Sequence, residues 1–155
     1  MAGDPLDSFH ALAHPSLFPE DGRLDVPGLA DRVTVTRGTD GTPRIDAAST
    51  GDLWFAQGFV TAGERLFQIE MTLRAASGRL SELLGEGTFE QDRYARTVGL
   101  HRAAARHVQA WTEADNAMHA RFREGVRAWI DRAPALPIEY AILGSEPDLP
   151  DDPVA

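Results

Sequence analysis

The sequence predicts a mainly helical chain opened by a single β-hairpin, and three observations carry that prediction. Residues 33–47 alternate apolar and polar side chains around an Asp40-Gly41 turn. From Ser49 onward, apolar residues recur at steps of three and four, broken by glycines and capping residues. No later stretch has strong strand character, so two strands must find the rest of their sheet elsewhere.

Residues 1–31 hold Pro5, Pro15, Pro19, Pro27, Gly22 and Gly28 among scattered apolar residues and read as an extended N-terminal arm. Leu12, Leu17 and Phe18 give the arm anchors, so it is expected to lie on the body or on a partner; Phe9 and His10 are too isolated to interpret. Val33 to Arg37 suits a half-buried strand, and Pro43 to Ala47 can return as a second. Ser49 is expected to cap the first long helix, with Asp52 answering in a variant of the capping box. Its apolar face runs through Leu53, Ala56, Phe59, Val60, Phe67, Met71 and Leu73. Gly58 and Gly63 each cost about 1 kcal/mol relative to Ala inside a helix, which predicts another backbone passing close to both.

Gly78 should end that helix. Arg79–Leu84 and Phe89–Arg96 follow as short helices, with Asp92 placed to pair with Arg96 and Tyr94 to reach inward. Leu100, Ala103, Ala104, His107, Val108 and Trp111 form the apolar side of the next. Thr112 then caps a helix whose stripe is Met118, Phe122, Val126, Trp129 and Ile130, running to about Asp131. Residues 133–137 separate it from a short turn at Ile138–Leu143, stopped by Gly144. Residues 32–155 are thus expected to form one hairpin plus about five helices.

Length and composition suit one globular unit: 155 residues, 43% hydrophobic and 25% charged. Acids outnumber bases 24 to 15, and all the bases are Arg, spread from Arg23 to Arg132. A net charge of −9 without a basic run argues against nucleic acid. There is no cysteine, hence no disulfide, thiolate metal site or cysteine nucleophile. Apolar runs fall far short of a membrane span. Met1 to Leu17 never forms the apolar core of a secretory signal, which leads to an expectation of cytoplasmic residence.

A search for chemistry finds little. There is no phosphate loop, zinc-helix signature, calcium loop or strand-elbow serine. His10 and His14 lack a third ligand, and His107 reads as a packing residue. Thr61, Ser77 and Ser81 lie in or beside helices, where backbone carbonyls can take their hydroxyls. Asp52, Glu64 and Glu70 share one apolar helix; Arg74 is the partner expected for Glu70, and Arg65 for Glu64. Structural ion pairing is the reading of Glu70 with Arg74. No residue is assigned as catalytic, cofactor-binding or metal-binding.

Asp52-Leu-Trp-Phe-Ala-Gln-Gly-Phe-Val-Thr-Ala-Gly-Glu-Arg-Leu-Phe-Gln-Ile-Glu-Met71, continuing through Arg74-Ala-Ala-Ser-Gly-Arg-Leu-Ser-Glu-Leu-Leu-Gly85, resembles the α-subunit signature of the penicillin acylase family. Asp92-Arg93, Arg96 through Gly99-Leu100 and Leu136-Pro-Ile-Glu-Tyr-Ala-Ile-Leu-Gly144 resemble its later blocks. The likeness covers about residues 24–155. It implies an α+β chain that is part of an αββα N-terminal-nucleophile hydrolase and packs on a larger β-subunit cut from the same precursor. That β-chain would carry an N-terminal Ser nucleophile acting on a small-molecule N-acyl amide. This chain alone would be inactive and supply no cofactor, with a structural calcium as a feature of the complex. The resemblance also implies a periplasmic or secreted protein, against the absence of a signal.

Two departures stand out. Arg37-Gly38 and Pro43-Arg44-Ile45 occupy positions where the family often has Arg-Asp and Pro-His-Ile. Asp151-Asp-Pro-Val-Ala155 resembles the entry to a further helix bearing pocket residues and a calcium ligand, which therefore cannot be assigned here. A catalytically silent acylase-like binding or assembly subunit, and a free-standing helical regulator, remain the alternatives.

Overall fold

The computed structural model describes residues 10–11, 13–19 and 21–150. The expectations placed on Phe9, Leu12 and Asp151–Ala155 lie outside these. The order is a 3-10 turn (His14–Ser16), β1 (Thr34–Arg37), β2 (Pro43–Asp46), α1 (Thr50–Ser77), α2 (Ser81–Leu84), a 3-10 turn (Glu86–Thr88), α3 (Phe89–Val98), α4 (Leu100–Val108), α5 (Glu113–Arg132) and α6 (Ile138–Leu143). The arm is thus not wholly extended, since it contains a helical turn. The turn at Glu86–Thr88 escaped the sequence reading.

β1 and β2 pair antiparallel, with Val35 opposite Ile45 and Arg37 opposite Pro43. The turn is closed by Gly38 N donating to Thr42 O at 3.1 Å and by Asp40, whose carboxylate accepts from Thr42 N and Thr42 Oγ1 at 3.1 and 2.8 Å. Those same two bonds hold the Asp40 carboxyl below its usual range. Every residue of β1 is exposed, and only Pro43 and Ile45 of β2 are half-buried. The half-buried first strand expected from alternation is therefore bare, because among the described residues each strand pairs only with the other.

Contacts divide the chain into two compact units, Met1–Arg65 with Glu113–Ile138, and Leu66–Thr112 with Glu139–Ala155. The division falls within α1 at Arg65, where φ −142° and ψ 23° interrupt an otherwise continuous 28-residue helix. In the first unit, Phe55, Ala56, Phe59, Val60 and Ala62 of α1 are buried, as are Val126 and Trp129 of α5. Phe18 closes this core from the arm. Its ring stacks on Trp129 at 5.0 Å between centroids and meets Phe59 edge-on at 6.0 Å.

The helices α1 and α5 cross with their backbones touching. A methyl group on Gly58 would overlap the Phe122 carbonyl, and one on Gly125 would overlap the Phe55 carbonyl. The close backbone predicted at Gly58 is there. At Gly63 the neighbour is instead the Phe18 ring.

In the second unit, α1 continues to Ser77 and buries Leu66, Glu70 and Arg74, while Ala95 of α3 and Tyr140 of α6 complete a smaller core. The apolar face expected on α4 is not covered. Leu100, Ala103, Ala104 and His107 are exposed, and only Ala105 and Val108 are half-buried. Tyr94, expected to point inward, is 70% exposed. The reason is local: α3 and α4 are short, and among the described residues no other element is laid over their outer faces.

Candidate functional site

The most concentrated chemistry in the chain surrounds Glu70. A helix of apolar character buries whatever its inward positions carry, and position 70 carries a carboxylate with no exposed surface. Arg74, one turn later, donates Nε to Glu70 Oε1 at 2.7 Å, as the four-residue spacing predicts. The second oxygen is satisfied from far away in sequence, by Tyr140 Oη donating to Oε2 at 2.7 Å. The Tyr140 ring is set edge-on to Phe67, 5.4 Å between centroids. Burial first, and then the Glu70 carboxylate, push the Tyr140 phenol well above its ordinary range. The phenol holds its proton and serves as a donor.

Arg74 spends its remaining donors outward. Nη1 reaches Glu82 at 3.1 Å and Nη2 reaches Asp148 at 3.0 Å. Arg79 joins the same two acids, with Nε 3.0 Å from Glu82 Oε2 and Nη2 2.8 Å from Asp148 Oδ2. The Arg79 hydrogen bond is the main reason the Glu82 carboxyl lies low, against a smaller opposing effect of burial. The arrangement is an alternating chain of charges, compensated from its buried end to its exposed end. It can fix three segments of the second unit against one another.

Two further buried carboxylates clamp loops. In the first unit Asp52 accepts from the amides of Ala30 and Asp31 at 3.0 and 3.2 Å, and Arg121 Nη2 stands 3.3 Å from it. The Ala30 amide is the leading cause of its lowered pKa. Ser49 does cap α1, accepting from Asp52 N at 3.0 Å. The Asp52 side chain, however, reaches to the arm instead of closing a capping box.

In the second unit Asp92 accepts from the Leu80 and Ser81 amides, each at 2.8 Å, and from Ser81 Oγ at 2.5 Å. Burial alone would raise its pKa; the Ser81 hydroxyl, these amides and the nearby Arg96 charge together bring it below the ordinary value. Arg96 itself donates to Gly78 O at 2.8 Å. In place of the Asp92–Arg96 hydrogen bond predicted from spacing, Asp92 bonds to Leu80 and Ser81, and Arg96 to Gly78.

Other expectations are corrected in the same way. Glu64 pairs with Arg37 of β1 at 2.5 Å, where Arg65 had been the expected partner. Thr61 Oγ1 and Ser77 Oγ do donate to carbonyls one turn back, at 2.7 and 2.8 Å, whereas Ser81 donates to a carboxylate. His107 is exposed, so it is not a packing residue. Among the described residues, no group of three or more acid or histidine side chains is placed to hold a metal ion, and no helix is long and apolar enough to cross a membrane.

The long-range bonds of Asp52 and Tyr140 were not read from the sequence, yet a signal existed for the second. A buried carboxylate has two oxygens, and Arg74 Nε fills one. A second donor was required, and Tyr140 sits in the apolar Ile-Glu-Tyr-Ala-Ile-Leu segment.

The family model described as penicillin amidase matches residues 32–154. The chain is 39% identical over 133 residues to penicillin acylase 2 proenzyme of Pseudomonas sp. strain SE83, covering 86% of this chain and 17% of that protein. It is 34% identical over 134 residues to the acyl-homoserine lactone acylase QuiP of Pseudomonas aeruginosa, covering 86% and 16% respectively. Among solved structures, the thermostable penicillin G acylase from Alcaligenes faecalis superposes with a TM-score of 0.64 at 26% identity, over 76% of this chain and 64% of the solved one. The chain therefore spans about one sixth of the length of the curated relatives it matches, and most of one chain of a solved acylase. With the whole stretch from hairpin to α6 inside the match, this chain belongs to the penicillin amidase family.

Proposed function

We propose that the chain is the α-subunit of a heterodimeric acylase that hydrolyses the amide bond of a small N-acyl compound. The nucleophile is the N-terminal Ser of a larger β-chain cut from the same precursor. Its hydroxyl attacks the amide carbonyl while its own α-amine takes the proton and passes it to the departing amine as the C–N bond breaks, and water then releases the acyl group from the ester as a carboxylic acid. No residue of this chain takes a chemical step. Residues 1–31 serve as an arm, and residues 32–155 present a hairpin and helices to the β-subunit.

The observation that carries this reading is one of length. The matched stretch is 17% of a relative named as a proenzyme, yet it covers 64% of one chain of a solved acylase. That relation fits a matched stretch that falls within one chain of a processed acylase. Surface properties agree with it. β1 and β2 are a two-stranded sheet of the kind that is marginal alone, and Phe89, Tyr94, Val98 and Leu100 stand 45–70% exposed on α3 and α4. A covering subunit would use both.

Co-expression with the remainder of the precursor tests the proposal. Intact mass and N-terminal sequencing should find a copurifying chain beginning with Ser, and the pair should cleave members of a panel of aromatic, short and long N-acyl amides. A stable pair whose second chain has no Ser, Thr or Cys at its first position would sink the enzyme reading and leave the silent assembly subunit.

A further inference from the structure

Residues 93–112, from α3 through α4 to the residue before α5, hold four of the chain's 15 arginines and two of its five histidines but none of its 24 acids. In a chain of net charge −9 this is a local inversion of sign. The two arginines of α3 are already compensated. Arg93 pairs with Glu90 at 2.7 Å, and Arg96 donates to Gly78 O at 2.8 Å beside the Asp92 carboxylate. Those of α4 are not. Arg102 donates only to the Arg96 carbonyl, at 3.4 Å, and the side chains of His101, Arg106 and His107 meet no hydrogen-bond or charge partner among the described residues.

α4 sets these charges beside a bare apolar stripe. Ala105 and Val108 face the second unit and are half-buried, so Leu100, Ala103, Ala104 and His107, at steps of three and four, look outward, and all four are exposed. Arg102 and Arg106, one turn apart, run along one flank of the stripe and are exposed as well. The central alanines are short, so a surface seated on them comes close and strips water from the neighbouring guanidinium groups. A guanidinium that loses water without meeting a counter-charge costs more than two alanines return. A cover that fits the stripe must therefore bring carboxylates to its flank.

We propose that the outer face of α4 docks on an acidic patch of the β-chain, with an apolar strip against Leu100, Ala103 and Ala104 and with Asp or Glu side chains facing Arg102 and Arg106. This docking rests on the proposed pairing with a β-chain and adds the chemistry of one contact. The matched stretch is 17% of the related proenzyme, so most of such a precursor is left to supply the patch.

The sequence has no lysine, so Arg106→Lys in the coexpressed complex places a single ε-amine on this chain. A carbodiimide, which joins an amine to a touching carboxylate without a spacer, should link that amine to an Asp or Glu of the β-chain, found by peptide mass spectrometry. Arg102→Glu combined with Arg106→Glu should speed dissociation of the assembled pair about tenfold in about 0.1 M NaCl. The difference should shrink towards parity in about 1 M NaCl, where the screening length falls from ~10 to ~3 Å. If the double variant does not assemble, the cross-link alone decides. An assembled pair with turnover that gives no cross-link to the β-chain, or whose dissociation ignores the double substitution, overturns the acidic patch and leaves the hydrolase reading intact. Absence of any copurifying β-chain overturns both. Adsorption of the assembled pair to phosphatidylglycerol vesicles, lost in the double variant and with no cross-link to the β-chain, would assign the face to a membrane surface and likewise overturn the patch.

Discussion

The two units of this chain are held together by different physics. In the first, Phe18, Phe59 and Trp129 form a ring cluster with centroids 5.0–6.0 Å apart, and α1 and α5 cross backbone to backbone at Gly58 and Gly125. In the second, the central residues are Glu70, Arg74, Tyr140 and Asp92, every one of them buried and polar. Apolar packing tolerates small losses, because each contact is weak and many remain. A buried charge network fails sharply, because removing one member strands the others. The same helix, α1, serves both designs on either side of Arg65.

The largest effect should follow from Glu70→Ala, which leaves Arg74 Nε and the Tyr140 hydroxyl unpaired in a closed site and should cost about 3–5 kcal/mol. Thermal melts and the yield of assembled complex should both fall. Turnover per assembled site should stay near wild type, since the carboxylate is structural; an assembled complex without turnover would contradict that assignment.

The corresponding test of the first unit is Gly125→Ala, where the new methyl would overlap the backbone of Phe55 and of Phe59. It should cost about 1–3 kcal/mol by forcing α1 and α5 apart, seen as a lower midpoint in denaturant. If Gly125→Ala proved costlier than Glu70→Ala, the contrast between the units would be reversed.

Acid should weaken both units next. Asp92 and Glu82 in the second unit, and Asp52 in the first, are each more acidic folded than unfolded. Their stabilisation is therefore full above the unfolded value of about 4 and is lost as pH falls through the lower folded value. Melting temperature should be flat near neutrality and should drop below about pH 4. Asp92→Asn should lower the neutral plateau and flatten the acid limb; a limb as steep as in the wild type would show that Asp92 contributes little to it.

The smallest effect belongs to Arg37→Ala. It removes a half-exposed ion pair with Glu64 and a guanidinium 5.5 Å from the Phe18 ring centroid, together about 1 kcal/mol or less, and the loss should shrink further in high salt. Chemical denaturation at two salt concentrations measures it.

What the sequence made legible was local. The hairpin followed from alternation around Asp40-Gly41, the helix breaks at Gly78 and Gly144 followed from glycine, and the Glu70–Arg74 pair followed from helical spacing. Bonds that cross the chain were illegible, because nothing in a single sequence ties Asp52 to the Ala30 amide or Tyr140 to Glu70. Local geometry also misled where a long-range competitor won. Arg37 took Glu64 from Arg65, and the Leu80 and Ser81 amides took Asp92 from Arg96. The apolar stripe on α4 and the alternation of β1 were read correctly as patterns but wrongly as burial. Among the described residues both faces are bare, and a second subunit is the reading that reconciles the pattern with the exposure.

Hydrolysis of an N-acyl amide panel by this purified chain alone, beside the same panel offered to the chain assembled with its β-partner, tests the central claim most directly. Turnover confined to the assembled pair, and abolished when the partner's first residue is replaced by Ala, is the predicted result. Sustained turnover by the chain with no second polypeptide present would contradict the account.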